Sequence, residues 1–483
     1  MRRAGLAALA AGALAAFGQA PVNLGALTLL GLIAAFWLFR QADSARRAFR
    51  TGWLVGTAHF AIALHWIVEP FLVDVAATGW MAPFALLFMA AGLALFWGAG
   101  FALAHRLGRS PWIWAAALAL AELLRGALFT GFPWAMPSHA FVDSVAMQAA
   151  ALVGASGLNF LVFLAAAGVA ALWRRGGKRP AIGLAAGLTV LSMIPMPGAE
   201  MPAEGPKVRL VQPNAAQHEK WRPDMRAYFF GRSLALTGMG TVPPVVIWPE
   251  TAVTTPMPGA DETFAAMTKA ALGGTVVTGI QRLDGLLAYN SLVVLADDTT
   301  PVAIYDKHHL VPFGEYIPLG DWLAGLGLRG LAAQDGAGYS AGPGPVTLDI
   351  PGLGRTLPLI CYEAVFPRDL RSALRPEVLL HITNDAWFGR FSGPFQHLAQ
   401  ARIRAVEQGL PLLRAANTGV TALIDPRGRV LAQLPHGVAG KLDVTVPRAL
   451  PPTPYARTGD WPLWALLVLL HIWALMRTVK KPD

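Results

Sequence analysis

Two hydrophobic patterns alternate along the chain. From Leu6 to about Pro195, long apolar runs follow one another near 6–20, 22–39, 52–70, 81–104, 111–130, 148–172 and 181–197. Most approach the ~20 residues a helix needs to cross a bilayer core, which predicts seven spans. An eighth run, Trp461 to Met476, comes near the end. Between Ala199 and Asp460 the apolar runs shorten to strand length: Val208–Val211, Val245–Trp248, Thr275–Ile280, Ser291–Leu295, Leu357–Ile360, Val378–Ile382 and Val420–Ile424. Helix-compatible stretches near 222–238, 259–272 and 394–409 separate several of them. Strands alternating with helices, many apolar throughout, predict an α/β domain with sheets covered on both faces. Pro195–Pro206 and Ala449–Pro454 read as linkers. The expected organisation is a seven-helix transmembrane domain over 1–198, an α/β domain outside the membrane over 199–459, and a transmembrane helix with a cytoplasmic tail over 460–483.

Composition agrees with a membrane protein. Hydrophobic residues make up 54% of the 483 and charged residues only 14%, with a mean hydropathy of +0.46. The formal charge of +10 would suit a nucleic-acid binder if it were spread over one surface. It is instead concentrated in short clusters between apolar runs: Arg2 and Arg3; Arg40, Arg46, Arg47 and Arg50; Arg106 and Arg109; Arg174, Arg175, Lys178 and Arg179; Arg477, Lys480 and Lys481. The basic balance is therefore a topology signal and no nucleic-acid partner is expected. The loops around 18–21, 71–80 and 131–147 contain no Lys or Arg and carry Asp74 and Asp143. The positive-inside rule then puts both termini in the cytoplasm and the α/β domain on the other side. Residues 1–20 imitate a signal peptide, but no soluble domain follows them, so they are read as a retained span.

Within the fifth span, Glu122 and Arg125 lie three apart on one helical face. Intramembrane charges are costly, so this spacing predicts an ion pair with a structural role. The loop Thr130–Trp134 has the composition of an interfacial aromatic belt. Trp322, Leu323, Leu326, Leu328 and Leu331 put apolar side chains on a Gly-rich stretch, which suits a lid touching lipid or an ordinary packed helix.

Candidate chemistry centres on Cys361, the single cysteine of the chain. It cannot form a disulfide within the chain. A lone cysteine is often inert and buried, but this one follows the apolar run Thr356–Ile360 where a strand gives way to a turn. Glu250 ends Val245–Trp248 in the same way, and Lys307 follows Val302–Tyr305. All three stand at or just beyond strand C-termini, where α/β sheets place ligands. Together they make a workable nucleophilic set. The thiolate is the reactive form, a carboxylate can take its proton, and an ammonium can stabilise the thiolate and then an oxyanion. No metal is expected: His308 and His309 are adjacent, so their side chains should diverge as surface loop residues.

The motifs Trp248-Pro249-Glu250-Thr251, Asp306-Lys307-x-x-Leu310-Val311-Pro312-Phe313-Gly314-Glu315, Ile360-Cys361-Tyr362-Glu363 and Thr383-Asn384-Asp385-Ala386-Trp387-Phe388-Gly389 resemble the nitrilase superfamily. With spans on both sides, the chain resembles its membrane-embedded bacterial branch over nearly the full length. The resemblance implies an αββα sandwich with a Glu–Lys–Cys triad beside the eight-helix membrane domain, and no cofactor. It implies Cys361 as nucleophile, Glu250 as general base and Lys307 at the oxyanion. It implies Glu315 as a supporting glutamate and the Tyr362 N–H as an oxyanion donor. Trp221, Asn290, Glu363 and Trp387 match pocket positions that orient residues or contact substrate, although Trp387 equally suits a core and Glu363 a cap for a helix near Val365. The implied reaction moves an acyl chain from a membrane phospholipid, through a thioester, to the amino group of a diacylglyceryl-modified apolipoprotein at the bacterial inner membrane. A membrane-anchored amidase and a transporter with a non-catalytic outer domain are the rival readings.

Overall fold

A computed structural model describes residues 2–296, 299–318, 338–371 and 374–479. The chain divides into two compact units, Met1–Pro197 with Pro452–Asp483, and Gly198–Pro451. The apolar residues expected as a lid, Trp322 to Leu331, lie outside the described residues.

The first unit is helical. Its long helices are α1 (Arg2–Ala16), α2 (Gly25–Gln41), α3 (Ala45–Ala63), α4 (Ala82–Arg106), α5 (Pro111–Arg125), α6 (Ala150–Arg174), α7 (Lys178–Met193) and, from the end of the chain, α11 (Trp461–Val479). Each coincides with an apolar run, but two depart from it instructively. Helix α3 begins at Ala45 because the Ser44 side chain caps it, accepting from Arg47 N. Arg46, Arg47 and Arg50 therefore sit in its first turns, not in a loop. It stops at Ala63, where His65 Nδ1 bonds the Ile62 carbonyl at 2.9 Å, and the chain turns by 47° into a 3-10 segment, His65–Leu72. In α6, Gly154 interrupts the helix at φ 68°. A Cβ there would come within 2.2 Å of the Tyr455 ring, so only glycine fits.

Small residues let these helices approach closely. A Cβ on Gly12 would lie 2.0 Å from Val55 O, and one on Gly31 would lie 2.5 Å from Ala11 O. By length and apolarity, Val75–Arg106, Val145–Arg174 and Trp461–Thr478 are sufficient to cross a membrane, with a fourth if the bent Ala45–Leu72 pair counts as one span. Helices α1 and α2 are apolar but shorter. The expectation of eight full spans thus exceeds what length and composition establish among the described residues.

The second unit is a four-layer sandwich. One sheet runs β13-β1-β2-β4-β5-β6 with β3 beside β4, and the other runs β12-β11-β10-β9-β8-β7. The strands of the first are β1 (Lys207–Gln212), β2 (Val245–Ile247), β3 (Val253–Met257), β4 (Thr275–Asp284), β5 (Leu287–Leu295), β6 (Pro301–Asp306) and β13 (Gly440–Thr445). Those of the second are β7 (Leu348–Ile350), β8 (Gly354–Ile360), β9 (Val378–Thr383), β10 (Leu412–Ala416), β11 (Thr421–Ile424) and β12 (Val430–Leu434). Val208, Leu210, Ile247, Val277 and Leu292 of one sheet meet Ile360, Leu380, Ile382, Leu413 and Leu423 of the other in a central core.

Each sheet's outer face carries its own cluster. Leu236 of α8 (Pro223–Gly238) and Phe264 and Met267 of α9 (Asp261–Ala270) pack on Val246, Trp248 and Val276. Leu398, Ala401 and Ala405 of α10 (Gly393–Gln408) pack on Leu357, Leu359 and Leu379. Both faces of both sheets are covered, which is why the inner strands are mostly apolar, with buried exceptions at Arg209, His381 and Arg414. Strands β1, β2 and β4 are parallel neighbours, as are β8, β9 and β10. Their C-terminal ends bring several distant loops to one side of each sheet. Strands β3, β7, β10, β12 and β13 lie outside the expected runs: Leu-Leu-Arg-Ala-Ala reads as well for a helix, and the others are short or interrupted by polar residues.

Candidate active site

Each principal side chain is held where a strand ends. Glu250 follows β2 and is 6% exposed. Its main chain crosses β4 closely, and a Cβ on Gly279 would lie 2.6 Å from Glu250 Cα, so glycine is required there. The Glu250 carboxylate accepts from Asn290 Nδ2 at Oε1, 2.7 Å, and from Asn384 N at Oε2, 2.7 Å. Lys307 follows β6, and its N–H bonds the Asn290 carbonyl of β5 at 2.9 Å. Its ammonium is 2.8 Å from Glu315 Oε2, 2.9 Å from Glu315 Oε1 and 3.7 Å from Glu250 Oε1. Asn290 Nδ2 also donates to Glu315 Oε1 at 3.0 Å, and Val311 N donates to Glu315 Oε2 at 2.8 Å. Burial opposes the Lys307 charge, but Glu315 and Glu250 outweigh it and hold the ammonium far above its ordinary pKa.

Cys361 follows β8 and opens a short 3-10 turn, Cys361–Val365, at φ 50°. This left-handed conformation is costly for a residue with a Cβ and must be held by its surroundings. The thiol is buried, and burial followed by the Glu250 charge pushes its pKa well up. Lys307 and a hydrogen bond with Thr383 oppose that shift. Glu250 and Lys307 are thus both within electrostatic reach of the sulfur. The resting group is a thiol with a carboxylate beside it, suited to giving up its proton only as it attacks.

Glu363 is fully enclosed. Its Oε2 accepts from Ile360 N at 2.7 Å, and its Oε1 accepts from Tyr305 Oη at 2.9 Å and His308 N at 2.8 Å. It caps the turn that begins at Cys361, not a helix near Val365, and ties that turn to the chain just after Lys307. Trp221 and Trp387 are half-buried and make no described hydrogen bond or ring contact with Glu250, Lys307 or Cys361. Tyr362 is buried, edge-on to the His309 and Phe366 rings.

One expectation is corrected. His308 and His309 do not diverge: the chain bends at His309, and both converge on Asp369. His309 Nδ1 is 2.8 Å and His308 Nε2 3.4 Å from Asp369 Oδ2, while His308 Nδ1 is 2.6 Å from Glu363 Oε1. Glu363 causes the bend by accepting from the backbone N–H of both histidines. Ligand atoms of His308, His309 and Asp369 lie within 4.8 Å of one another, a spacing a metal ion could use. His309 Nδ1 is hydrogen-bonded to Asp369 Oδ2, whereas His308 Nε2 meets it only at ion-pair distance. Burial opposes protonation of His308, but Asp369 and Glu363 raise its pKa to about 9.

Other residues at the site carried no signal in the sequence. Lys220 is buried against Glu250, 2.8 Å from Thr251 Oγ1 and 3.3 Å from Glu250 O. Burial pushes its ammonium down to about 8 against the pull of Glu250. Beneath Cys361 lie His381, Thr383 and Asp385 at the end of β9, His397 of α10 and Arg414 of β10, all within 0% exposure. Thr383 and Asp385 belong to a quoted motif, but nothing in their spacing tells what they hold.

Two family models match the chain: the apolipoprotein N-acyltransferase N-terminal domain over residues 11–168 and carbon–nitrogen hydrolase over residues 243–450. The apolipoprotein N-acyltransferase of Bradyrhizobium diazoefficiens is 37% identical over 99% of this chain and 95% of its own length. That of Caulobacter vibrioides is 39% identical over 96% of this chain and 92% of its own. The chain belongs to the apolipoprotein N-acyltransferase family. Among solved structures, it is similar to XC1258 from Xanthomonas campestris, a CN-hydrolase superfamily protein, with 20% identity over 50% of this chain and 91% of that one and a TM-score of 0.36. The carbon–nitrogen hydrolase match covers the part of the second unit that holds Glu250, Lys307 and Cys361, and the N-terminal match spans α2 to α5 and most of α6.

Proposed function

We propose that this chain N-acylates the α-amino group of the S-diacylglyceryl-cysteine at the N-terminus of apolipoproteins, moving a phospholipid acyl chain through a thioester on Cys361. The observation that carries the mechanism is a buried thiol on a left-handed turn, under the joint influence of Glu250 and Lys307. In the first half, Glu250 takes the thiol proton as sulfur adds to the ester carbonyl carbon. The carbonyl pair becomes an oxyanion, stabilised by Lys307 and the Tyr362 N–H. Collapse expels the glyceryl oxygen, which takes the proton from Glu250 and leaves as lysophospholipid. In the second half, the amine adds to the thioester and gives a proton to Glu250. The thiolate leaves, recovers that proton, and the product is an amide.

The remaining residues support this sequence. Glu315 holds Lys307, and Asn290 spans both carboxylates. Glu363 locks the turn of Cys361 to the chain after Lys307, while Trp221 and Trp387 are the candidates for contact with substrate. We read the eight long helices as membrane spans of the bacterial inner membrane, both termini cytoplasmic and Gly198–Pro451 periplasmic. The apolar helices, the basic clusters and the helical segments flanking the sandwich in sequence support that reading, and a domain anchored at both ends suits a lipid donor.

The test uses purified protein, phospholipid and a diacylglyceryl peptide, followed by mass spectrometry. A fatty acyl adduct on Cys361, discharged as acylated peptide, is expected. Free fatty acid or ammonia as sole product makes the chain a hydrolase and overturns the proposal.

A further inference from the structure

The carbonyl oxygen of Cys361 is met by two imidazoles. His381 Nε2 lies 3.0 Å from it and His397 Nε2 lies 3.1 Å from it. A carbonyl oxygen only accepts, so each contact requires a proton on Nε2. One arginine arranges this for His381. Arg414, which only donates, faces Nδ1 of His381 at 2.8 Å with Nη1, and Nδ1 of His397 at 3.3 Å with Nη2. Facing a donor, His381 Nδ1 accepts, so the proton of its neutral ring belongs on Nε2. Asp385 anchors the arginine: Arg414 Nη2 donates to Asp385 Oδ2 at 2.5 Å, and Thr383 Oγ1 donates to Asp385 Oδ1 at 2.9 Å. Asp385 Oδ1, which only accepts, is 2.9 Å from His397 Nδ1, so Asp385 and Arg414 compete for that nitrogen, and the Nε2 donor of His397 follows from its contact with the Cys361 carbonyl alone. Burial, then Arg414, pushes the pKa of both imidazoles down, His381 well down.

The peptide these histidines hold is the one between Cys361 and Tyr362. In a trans peptide the C=O and N–H point in opposite directions along one resonant unit. Hydrogen bonds at the oxygen draw density from the nitrogen and strengthen the N–H as a donor. We infer that His381, with its tautomer set by Arg414, and His397 are positioning residues that fix the left-handed turn of Cys361 and sharpen the Tyr362 N–H for the acylation oxyanion. A fully buried Arg–Asp–His–His cluster is expensive to desolvate, and this use accounts for its place directly behind the nucleophile. The inference rests on the acyl-transfer reading above and deepens it.

The experiment separates two reactions of one sulfur. Alkylation by iodoacetamide is a displacement at saturated carbon and makes no oxyanion; acylation by phospholipid makes one. In the full-length protein, His381→Phe and His397→Phe should each slow formation of the Cys361 acyl adduct about tenfold, a fraction of the ~10²–10³ lost when an oxyanion donor is removed outright. Alkylation should stay within about twofold of the parent in both variants. His381→Gln, which can return an amide donor, should recover most of the acylation rate. Parallel loss of both reactions, or no loss in either, overturns the inference. If the parent itself forms no acyl adduct, the acyl-transfer reading fails first.

A second measurement holds even where the Phe variants do not fold. Because Cys361 is the chain's one cysteine, cysteine labelled with carbon-13 at its carboxyl carbon marks this carbonyl alone. Its infrared band in the parent protein should lie below that of a singly bonded amide carbonyl, and a band at the ordinary position overturns the inference.

Discussion

Two buried charge clusters, one in each unit, use the same residue types to opposite ends. In the helical unit, Arg125 Nε donates to Glu122 Oε1 at 2.9 Å and Nη2 to Oε2 at 2.7 Å. Trp97 Nε1 adds a bond of 2.8 Å to Oε1, and Arg125 Nη1 donates to the Phe132 carbonyl. One anion meets one cation in a fork, and the neighbours complete it. In the sandwich unit a single ammonium, Lys307, lies between the carboxylates of Glu315 and Glu250, with a thiol kept neutral beside them. A second ammonium, Lys220, is buried against Glu250, 3.3 Å from its carbonyl oxygen, so the difference between the clusters lies in the thiol. The Glu122–Arg125 pair has no nucleophilic group beside it, whereas Glu250 stands beside a thiol whose proton it can receive.

This contrast can be broken or sharpened experimentally. Cys361→Ala should abolish turnover, a fall of about 10⁴–10⁶-fold as for other nucleophile deletions, with the melting temperature nearly unchanged because one small side chain alters. Retained turnover would remove Cys361 from the chemistry. Lys307→Met should lower acyl-adduct formation by about 10²-fold or more by removing an oxyanion partner. It should also destabilise, because two buried carboxylates lose their common cation.

Glu122→Gln should do the reverse. It leaves Arg125 buried without its counter-charge, at a cost of about 3–5 kcal/mol, while the rate per folded molecule stays within about threefold. A large rate loss with an unchanged melting curve would make the Glu122–Arg125 pair functional and end the contrast.

The smallest effect concerns His308. Its folded pKa is raised to about 9 by Asp369 and Glu363 against burial. Its contribution is therefore complete below the unfolded value near 6.5 and is lost as pH rises through about 9. After allowance for its partial exposure, that contribution is about 1 kcal/mol. The parent should lose this increment between pH 7 and 10 in thermal melts, and His308→Gln should flatten the profile. An unchanged profile would mean that the pairing carries no stability.

How much of this was legible beforehand differs between the units for physical reasons. The long helices of the first unit satisfy their backbone internally and are apolar over most of their length, so each helix appears as a run in the chain. Their ends did not, because Ser44 and His65 act through single capping contacts. The inner strands were visible because both sheet faces are covered, but β3, β7, β10, β12 and β13 were not, since Leu-Leu-Arg-Ala-Ala and the short or edge strands hold no distinctive period. Glu250, Lys307, Glu315 and Cys361 stood out by motif. His381, His397 and Arg414 did not, because their task is to hold a main-chain carbonyl that leaves no mark on residue choice nearby.

By itself, then, the sequence determined the two kinds of architecture, the order of the elements and the residue types available for acyl transfer, because burial and periodicity are local properties. Only the tertiary structure decided that residues separated by more than a hundred positions share hydrogen bonds, as Glu250 and Asn384 do at 2.7 Å. It also decided that two adjacent histidines converge on one aspartate and that the carbonyl of Cys361 is gripped from behind. Those outcomes depend on which strand ends the sheets bring together, and parallel pairing between distant segments sets that without any signature in either segment alone.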